Sequence, residues 1–335
     1  MREGEYRTAD RLAAMAYRYR AGLLFAVIFG VMAAIAPNFL TPGNFRGILK
    51  AAGVNVPAAM GFTIVLICGQ LDLSVGSVMT MGGMAVVALQ PELGWAGSLV
   101  VALALGAAAG AANGLLVAKL KINSFIVTLG MMIIVKNAIL MVDDGTIPAE
   151  SYELSDFLQM SLGLVTPQIL VTFALMGVLA VFLKGTPVGK GFYLMGGNAE
   201  TAWYSGLHVD RYTIGAFTLS GVLSALGGAL VAMSEAVASP TLGDSSLMVI
   251  VAAVIIGGTS MEGGKGGVIG TGVALVALAA LINGLSCRGA GYEIQLMASG
   301  LVLASVILYD AWTLHRREQR RGQRPDLLKE LRAGP

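Results

Sequence analysis

Long apolar runs divided by short polar breaks set the pattern of this chain. The runs fall near residues 21–36, 53–69, 75–90, 95–118, 125–142, 167–183, 212–234, 246–258, 267–286 and 292–312. A helix needs roughly 20 apolar residues to cross the hydrocarbon core of a bilayer, so ten transmembrane helices are expected. Several runs are shorter, 246–258 above all, and predict broken or half-buried helices. A backbone break at membrane depth is tolerated only where protein or a water-filled path surrounds it. One polar stretch is far longer than a turn requires, the 28 residues from Lys184 to Arg211. Its centre runs from Gly197 to Gly206 and predicts a short helix. Asn198 is placed to accept from a free backbone N–H of the first turn. Glu200 sits at the positive end of the helix dipole, and Gly206 is a natural stop. Ala199, Ala202 and Trp203 are expected to share one small apolar face.

Composition narrows the class. Hydrophobic residues are 56% of the chain and charged residues 13%, about half the charged share of a soluble domain. The 45 glycines suit helices whose backbones approach closely in a membrane. Aromatics are only 7%, and the apolar runs are too long for barrel strands. The expectation is therefore an all-α membrane protein built as one bundle. Cys68 and Cys287 lie in or beside apolar runs and read as small core residues rather than a disulfide pair. No cleavable leader is expected, because the first apolar run follows twenty mostly polar residues. A net charge of +2 gives no footprint for nucleic acid.

The direction of the spans follows from lysine and arginine placement. With the N-terminus inside, only Arg46, Lys50 and Arg288 fall outside and Lys136 within a span, which leaves 18 of the 22 basic residues in the cytoplasm. Both termini are then cytoplasmic, as tails of residues 1–20 and 313–335 flanking a membrane domain of residues 21–312. The stretch 184–211 is also cytoplasmic. The loop 143–166 is extracytoplasmic and carries Asp143, Asp144, Glu150, Glu153 and Asp156 with no base. Faint self-similarity accompanies this plan. Asn113-Gly114-Leu115 recurs as Asn283-Gly284-Leu285, and Gly130 as Gly300, whereas Val65–Gly69 resembles Val254–Gly258 at a different offset. Two inverted halves of five spans would account for this, and so would coincidence between glycine-rich segments.

Few residues carry chemistry. Asp72, flanked by Gln70, Ser74 and Ser77, is a carboxylate near membrane depth, where a charge is costly unless paired or hydrated. It reads either as part of a glycine-flanked turn with Ser74 as helix N-cap or as a solute contact, the turn being favoured. Lys136 and Asn137 lie toward the outer end of the fifth span. Lys136 snorkels, pairs with an acid such as Asp143, or faces a pathway. Thr128, Gln295 and Ser299 are further polar residues of the fifth and tenth spans, and interhelical hydrogen bonding is the alternative role for each. Residues 257–266 do not form a phosphate loop, since Thr259 stands at the required first glycine and Gly266 follows Lys265 in place of Ser or Thr. They predict a tight turn between closely packed helices.

Four stretches go further when taken together. They are Gly69-Gln70-Leu71-Asp72-Leu73-Ser74-Val75-Gly76-Ser77, then Phe125-Ile126-Val127-Thr128-Leu129-Gly130, then Thr186, Gly189, Gly197, Asn198, Ala202 and Gly206, and finally Ile255-Ile256-Gly257-Gly258-Thr259-Ser260 with Gly263, Gly264, Gly266 and Asn283-Gly284. In this order they resemble the permease subunits of bacterial ABC sugar importers of the ribose, xylose and galactose type, from about residue 45 to 312. The departures are Gln70 for glycine, Asn123-Ser124 for a proline-containing approach, and Lys136-Asn137 for a small residue and an arginine. They bear on the substrate rather than on the class.

The resemblance implies a multi-pass inner-membrane subunit that is not itself an enzyme and has no catalytic residues. It implies that Asn198, Glu200, Thr201, Ala202, Trp203 and Gly206 form a coupling helix on a cytoplasmic ATPase, which holds the ATP and magnesium, no cofactor being bound by this chain. It further implies a periplasmic sugar-binding protein, docked through the acidic loop, and a second permease subunit, either a copy or a related chain. The cargo is then a monosaccharide or related polyol. Gln70, Asp72, Ser74, Thr128, Lys136, Asn137, Gln295 and Ser299 are the candidate pathway residues. An ion-coupled secondary transporter, with Asp72 as its ion site, is the alternative.

Overall fold

The computed structural model describes residues 20–306 apart from 292, together with residue 308. The expected tails lie outside the described residues except for Arg20, as does the end of the tenth run. Ten apolar helices are present among the described residues. Six are long and apolar enough to cross a membrane: α2 (Pro42–Ile67), α4 (Gln90–Leu120), α5 (Ser124–Val142), α7 (Pro167–Gly185), α10 (Val209–Glu235) and α12 (Val268–Cys287). Four are shorter: α1 (Arg20–Ile35), α3 (Val75–Ala88), α11 (Ser246–Ile256) and α13 (Glu293–Val306). Three non-spanning helices complete the set, α6 (Glu153–Gln159), α8 (Pro187–Gly197) and α9 (Ala199–Tyr204). Two short strands, β1 (Ile147–Pro148) and β2 (Val237–Ala238), pair antiparallel.

Local chemistry explains where helices begin. α2, α7 and α8 each start with a Thr-Pro pair. The hydroxyls of Thr41, Thr166 and Thr186 accept from the backbone N–H groups of Asn44, Ile169 and Gly189. The proline at the first helical position loses no hydrogen bond, because that N–H has no intrahelical partner. The apolar runs understate two elements. α2 begins at Pro42, well before residue 53, because its first turns carry Asn44, Arg46 and Lys50 on an otherwise helical segment. The expected gap between the third and fourth spans is a single residue, Leu89, and α4 turns instead at Gly94, whose φ is 64°.

α2 and α10 form the centre. α10 packs on α2, α3 and α4, while α2 packs on α7, α11 and α12. Side chains explain little of this contact, since small residues line it. Gly106, Gly110 and Gly114 recur every fourth position on α4 and meet the backbone of α10 at Gly221, Phe217 and Ile214. On α10, Gly228 lies against the Met79 carbonyl of α3. Lipid tails are as apolar as leucine, so helices gain by close van der Waals contact, which a stripe of small residues permits.

A methyl group at Gly110 would collide with the Phe217 carbonyl, whereas one at Gly215 on α10 meets nothing within 4 Å. Gly110→Ala is therefore expected to cost about 1–3 kcal/mol through forced separation of α4 and α10. Gly215→Ala should leave stability unchanged or slightly raised. Thermal unfolding of the detergent-solubilised protein compares them, and equal midpoints would refute the close-packed stripe.

Candidate functional site

Between α2 and α3 the chain leaves helical geometry for residues 68–74. Gly69 takes a φ of 72°, and Gln70 N–H bonds back to the Val65 carbonyl at 3.1 Å. The same closure recurs after α11, where Gly258 has a φ of 101° and Thr259 N–H bonds to the Val254 carbonyl at 3.2 Å. Both helix ends thus share one motif, in line with the likeness of Val65–Gly69 to Val254–Gly258.

Side chains of α5 satisfy the backbone of this break, and those of α4 and α10 bond to its polar side chains. The Leu71 N–H donates to Ser124 Oγ at 3.2 Å, and the Leu73 N–H to Thr128 Oγ1 at 3.0 Å, both on α5. Asp72 is 1% exposed. Its Oδ1 accepts from Ser74 N–H at 3.1 Å and Ser74 Oγ–H at 2.5 Å, and its Oδ2 from Ser220 Oγ–H of α10 at 2.7 Å. Asn113 Nδ2 of α4 donates to Ser74 Oγ at 3.0 Å. Ser74 occupies the N-cap position of α3, but its side chain does not cap the helix. The hydroxyl is drawn to the buried carboxylate, a stronger acceptor. Gln70 lies at the edge of this turn and lines a cleft of about 650 Å³ with Leu71, Lys121, Ser124, Phe125 and Met261.

A second non-helical segment, residues 236–245, precedes α11. Gly243 packs on the Gly76 carbonyl of α3, and its N–H donates to Thr80 Oγ1 at 3.0 Å. Asp244 pairs with Lys136 of α5, Nζ lying 2.8 and 2.9 Å from its two oxygens. The suggested partner Asp143 instead accepts from the Gly145 N–H at 2.7 Å in a tight local turn. Asn137 is exposed and donates to the Ile133 carbonyl one turn back. Gln295 and Ser299 on α13 bond to the nearby Ala290 and Gln295 carbonyls. The structure therefore brings together Asp72, Ser74 and Thr128, with Gln70 beside them, and places Lys136 at the second break, while Asn137 bonds within its own helix. Ser220, Ser124 and Asp244 were missed. Ser220 sits in the run Ser220-Gly221-Val222-Leu223-Ser224, whose small polar residues at four-residue spacing marked a buried interface.

The polar stretch 184–211 folds as α8 and α9. Asn198 caps α9, its Oδ1 accepting from Thr201 N–H at 2.8 Å. Gly206 closes it with a φ of 84°, and Leu207 N–H bonds to the Ala202 carbonyl at 3.0 Å. Ala199, Ala202 and Trp203 do not share one face. Ala202 turns inward at 3% exposure, Ala199 is exposed, and Trp203 and Tyr204 project outward at 63% and 74%. Their rings meet edge-on at 5.0 Å. Glu200 and Thr201 are exposed as well.

α8 anchors this arm to the bundle. Phe192 is buried and meets the Tyr212 ring of α10 edge-on at 5.4 Å. Burial pushes the Tyr193 phenol above its ordinary value, and its O–H donates to the Gly266 carbonyl at 3.2 Å. Gly196 lies so close to the Ile67 carbonyl that a side chain there would collide with it. That carbonyl accepts from Gly264 N–H at 2.8 Å. The end of α2, the end of α8 and the turn before α12 therefore meet through Gly69, Gly196, Gly263 and Gly264.

A helical bundle with one buried break, a second that is partly exposed, and a capped helical arm suits a multi-pass transport protein. Residues 44–309 match the family described as branched-chain amino acid transport system, permease component, and the chain belongs to that family. It is 34% identical over 299 residues to the ribose import permease protein RbsC of Bacillus subtilis (strain 168), covering 86% of this chain and 90% of that one. Identity to the ribose import permease protein RbsC of Escherichia coli (strain K12) is 32%, covering 85% and 90%. Identity to the L-arabinose ABC transporter permease protein AraH of Azospirillum brasilense is 30%, covering 90% and 89%. No solved structure matches the chain. The resemblance carried by the motifs is borne out, and the protein is a multi-pass inner-membrane permease.

Removing the Asp72 carboxylate strands two buried hydroxyls and one amide, at roughly 1–3 kcal/mol for each group left unpaired. Asp72→Ala should lower the thermal midpoint strongly, and Ser220→Ala should lower it less, since one bond is lost and the two donors of Ser74 remain. A midpoint for Asp72→Ala equal to that of the wild type would remove the turn from its structural role.

Proposed function

We propose that this chain is the membrane subunit of an ATP-driven, binding-protein-dependent importer of a monosaccharide. The names of its relatives favour a pentose such as ribose or arabinose as cargo. The observation that carries the ATP-driven reading is the arm formed by α8 and α9. It presents Glu200, Thr201, Trp203 and Tyr204 to an outside partner while Phe192, Met195 and Gly196 lock it onto the bundle. The chain has no phosphate loop, so nucleotide and magnesium belong to a cytoplasmic ATPase on which this coupling helix docks. A loaded periplasmic sugar-binding protein engages the opposite side, and a second permease subunit completes the pathway.

The topology that suits this reading has ten spans, both termini in the cytoplasm and two inverted halves of five. α3 and α11, the short third helices of the two halves, support it, as paired short segments mark the binding region in inverted-repeat transporters. So does the exchange at the centre, with α10 packed on α3 and α4 and α2 packed on α11 and α12. ATP binding to the ATPase shifts access only if it favours one of two arrangements of the bundle. An arm joined to the end of α2 through close backbone contact transmits that preference. An ion-coupled transporter would need Asp72 as an open ion site. Three donors from Ser74 and Ser220 already occupy that carboxylate.

Proteoliposomes holding this chain, its ATPase and its binding protein should take up labelled D-ribose or L-arabinose only with ATP inside. Uptake by the chain alone, without ATP, would establish the ion-coupled alternative. Within the complete system, Gly206→Asp and Glu200→Lys should insert normally yet uncouple ATP hydrolysis from uptake. Trp203→Ala should weaken ATPase co-purification. Normal coupling in all three variants would dismiss the arm as the docking piece.

A further inference from the structure

The Lys136–Asp244 ion pair belongs to neither the Asp72 turn nor the arm. Two lengths place it within the membrane slab. Lys136 lies about 18 Å along α5 from Ser124, just beyond the charged residues Lys119 and Lys121. Asp244 immediately precedes α11, whose 11 residues span only about 16 Å before the turn that carries Glu262 and Lys265. Both lengths start from the cytoplasmic side, and only seven residues, about 10 Å, separate Lys136 from Asp143 at the outer end of α5, so the pair falls in the outer half of a hydrocarbon core about 30 Å thick.

Burial does not shield it. The two side chains are 44% and 43% exposed, and Asn137, next to Lys136 along α5, is exposed as well. Lysine can snorkel toward a boundary on its long stem, but Asp244 has a single methylene and holds Nζ at 2.8 Å. A charged pair half open to lipid at this depth is strongly disfavoured, and such pairs face a water-filled cavity or another protein surface. The neighbouring segment 239–245 is also non-helical, which at membrane depth requires burial in protein, as at Gly243, or a water-filled cavity, as its exposed residues Thr241 and Asp244 call for.

We propose that Lys136, Asn137 and Asp244 form part of the wall of the translocation pathway and contact the hydroxyl groups of a neutral sugar in transit. The proposal rests on the permease reading above. The chemistry suits the cargo. The carboxylate of Asp244 accepts from one hydroxyl while the ammonium of Lys136 donates to its neighbour, so a vicinal diol can bridge the pair. The two charges cancel, which gives polar contacts without a net charge that would hold an ion. Release is fast because the sugar exchanges these contacts for the pair's own bond.

Accessibility tests this without knowledge of the cargo. Asn137→Cys is made in a Cys68→Ala, Cys287→Ala background and exposed, in right-side-out and inverted vesicles, to a charged membrane-impermeant thiol reagent. Val178→Cys on the exposed apolar face of α7 is the lipid-facing control. Lipid-facing thiols do not ionise, so labelling at 137 is expected to exceed that at 178 by roughly 100-fold in at least one vesicle orientation. Equal, negligible labelling of both sites in both orientations would overturn the proposal, whatever drives transport. In proteoliposomes with ATPase and binding protein, Lys136→Met with Asp244→Leu should insert normally and lose at least about tenfold in sugar uptake, because an apolar replacement of a lipid-facing pair would be neutral or stabilising. The exchanged pair, Lys136→Asp with Asp244→Lys, should recover part of that loss. Full uptake by the apolar pair would equally overturn the proposal. Failure of ATP-dependent uptake in the wild type would sink the importer reading and leave the labelling result standing.

Discussion

A backbone that leaves the helix at membrane depth has no water to bond to, and each unpaired group there costs several kcal/mol. Much of this bundle is arranged around that constraint. The break at residues 68–74 needs acceptors for its amides, and α5 supplies them through Ser124 and Thr128. Asp72 needs donors, and Ser74 and α10 supply those. Asn113 of α4 then binds the shared Ser74 hydroxyl. Each bond fixes the height and rotation of the helix that carries it. The second break uses closer means, with Gly243 pressed onto Gly76 and its amide held by Thr80. Helices α3, α4, α5 and α10 are thus positioned as much by two non-helical segments as by apolar contact.

The same economy of small residues joins the arm to the centre. The Ile67 carbonyl ends α2, accepts from the Gly264 amide and lies directly against Gly196 at the end of α8. The first break begins at the next turn of chain. A displacement of α8 has no compressible side chain through which to dissipate at this point, because packed backbones are stiff. In the coupling proposed above it would be passed to the end of α2, and from there to the segment that holds Asp72. The turn before α12 takes part in the same contact, so α2, α12 and the arm meet at one junction.

Much of this was legible in order of residues. The ten apolar runs became ten helices because burial of backbone polarity in lipid leaves a chain few other choices. Asn198 and Gly206 marked the limits of α9 correctly, since caps are chosen by neighbours within one turn. Trp203 was misplaced for the opposite reason: a six-residue helix has too little periodicity to show which side meets the bundle. Asp72 was recognisable as unusual, but its donor Ser220 lies far along the chain and resembles many other serines in membrane helices.

The sequence by itself determined the class, the apolar helices, the Asn198 cap of α9 and the position of the polar arm, all of which depend on composition or on interactions within a few residues. Only the tertiary structure decided that Asp72 is enclosed by Ser74 and Ser220, that Lys136 meets Asp244 rather than Asp143, and that Gly196 rests on Ile67. Those contacts join residues distant along the chain, and their partners are set by how helices of nearly uniform apolar surface cross. No local pattern encodes such a crossing until small residues on both helices come face to face.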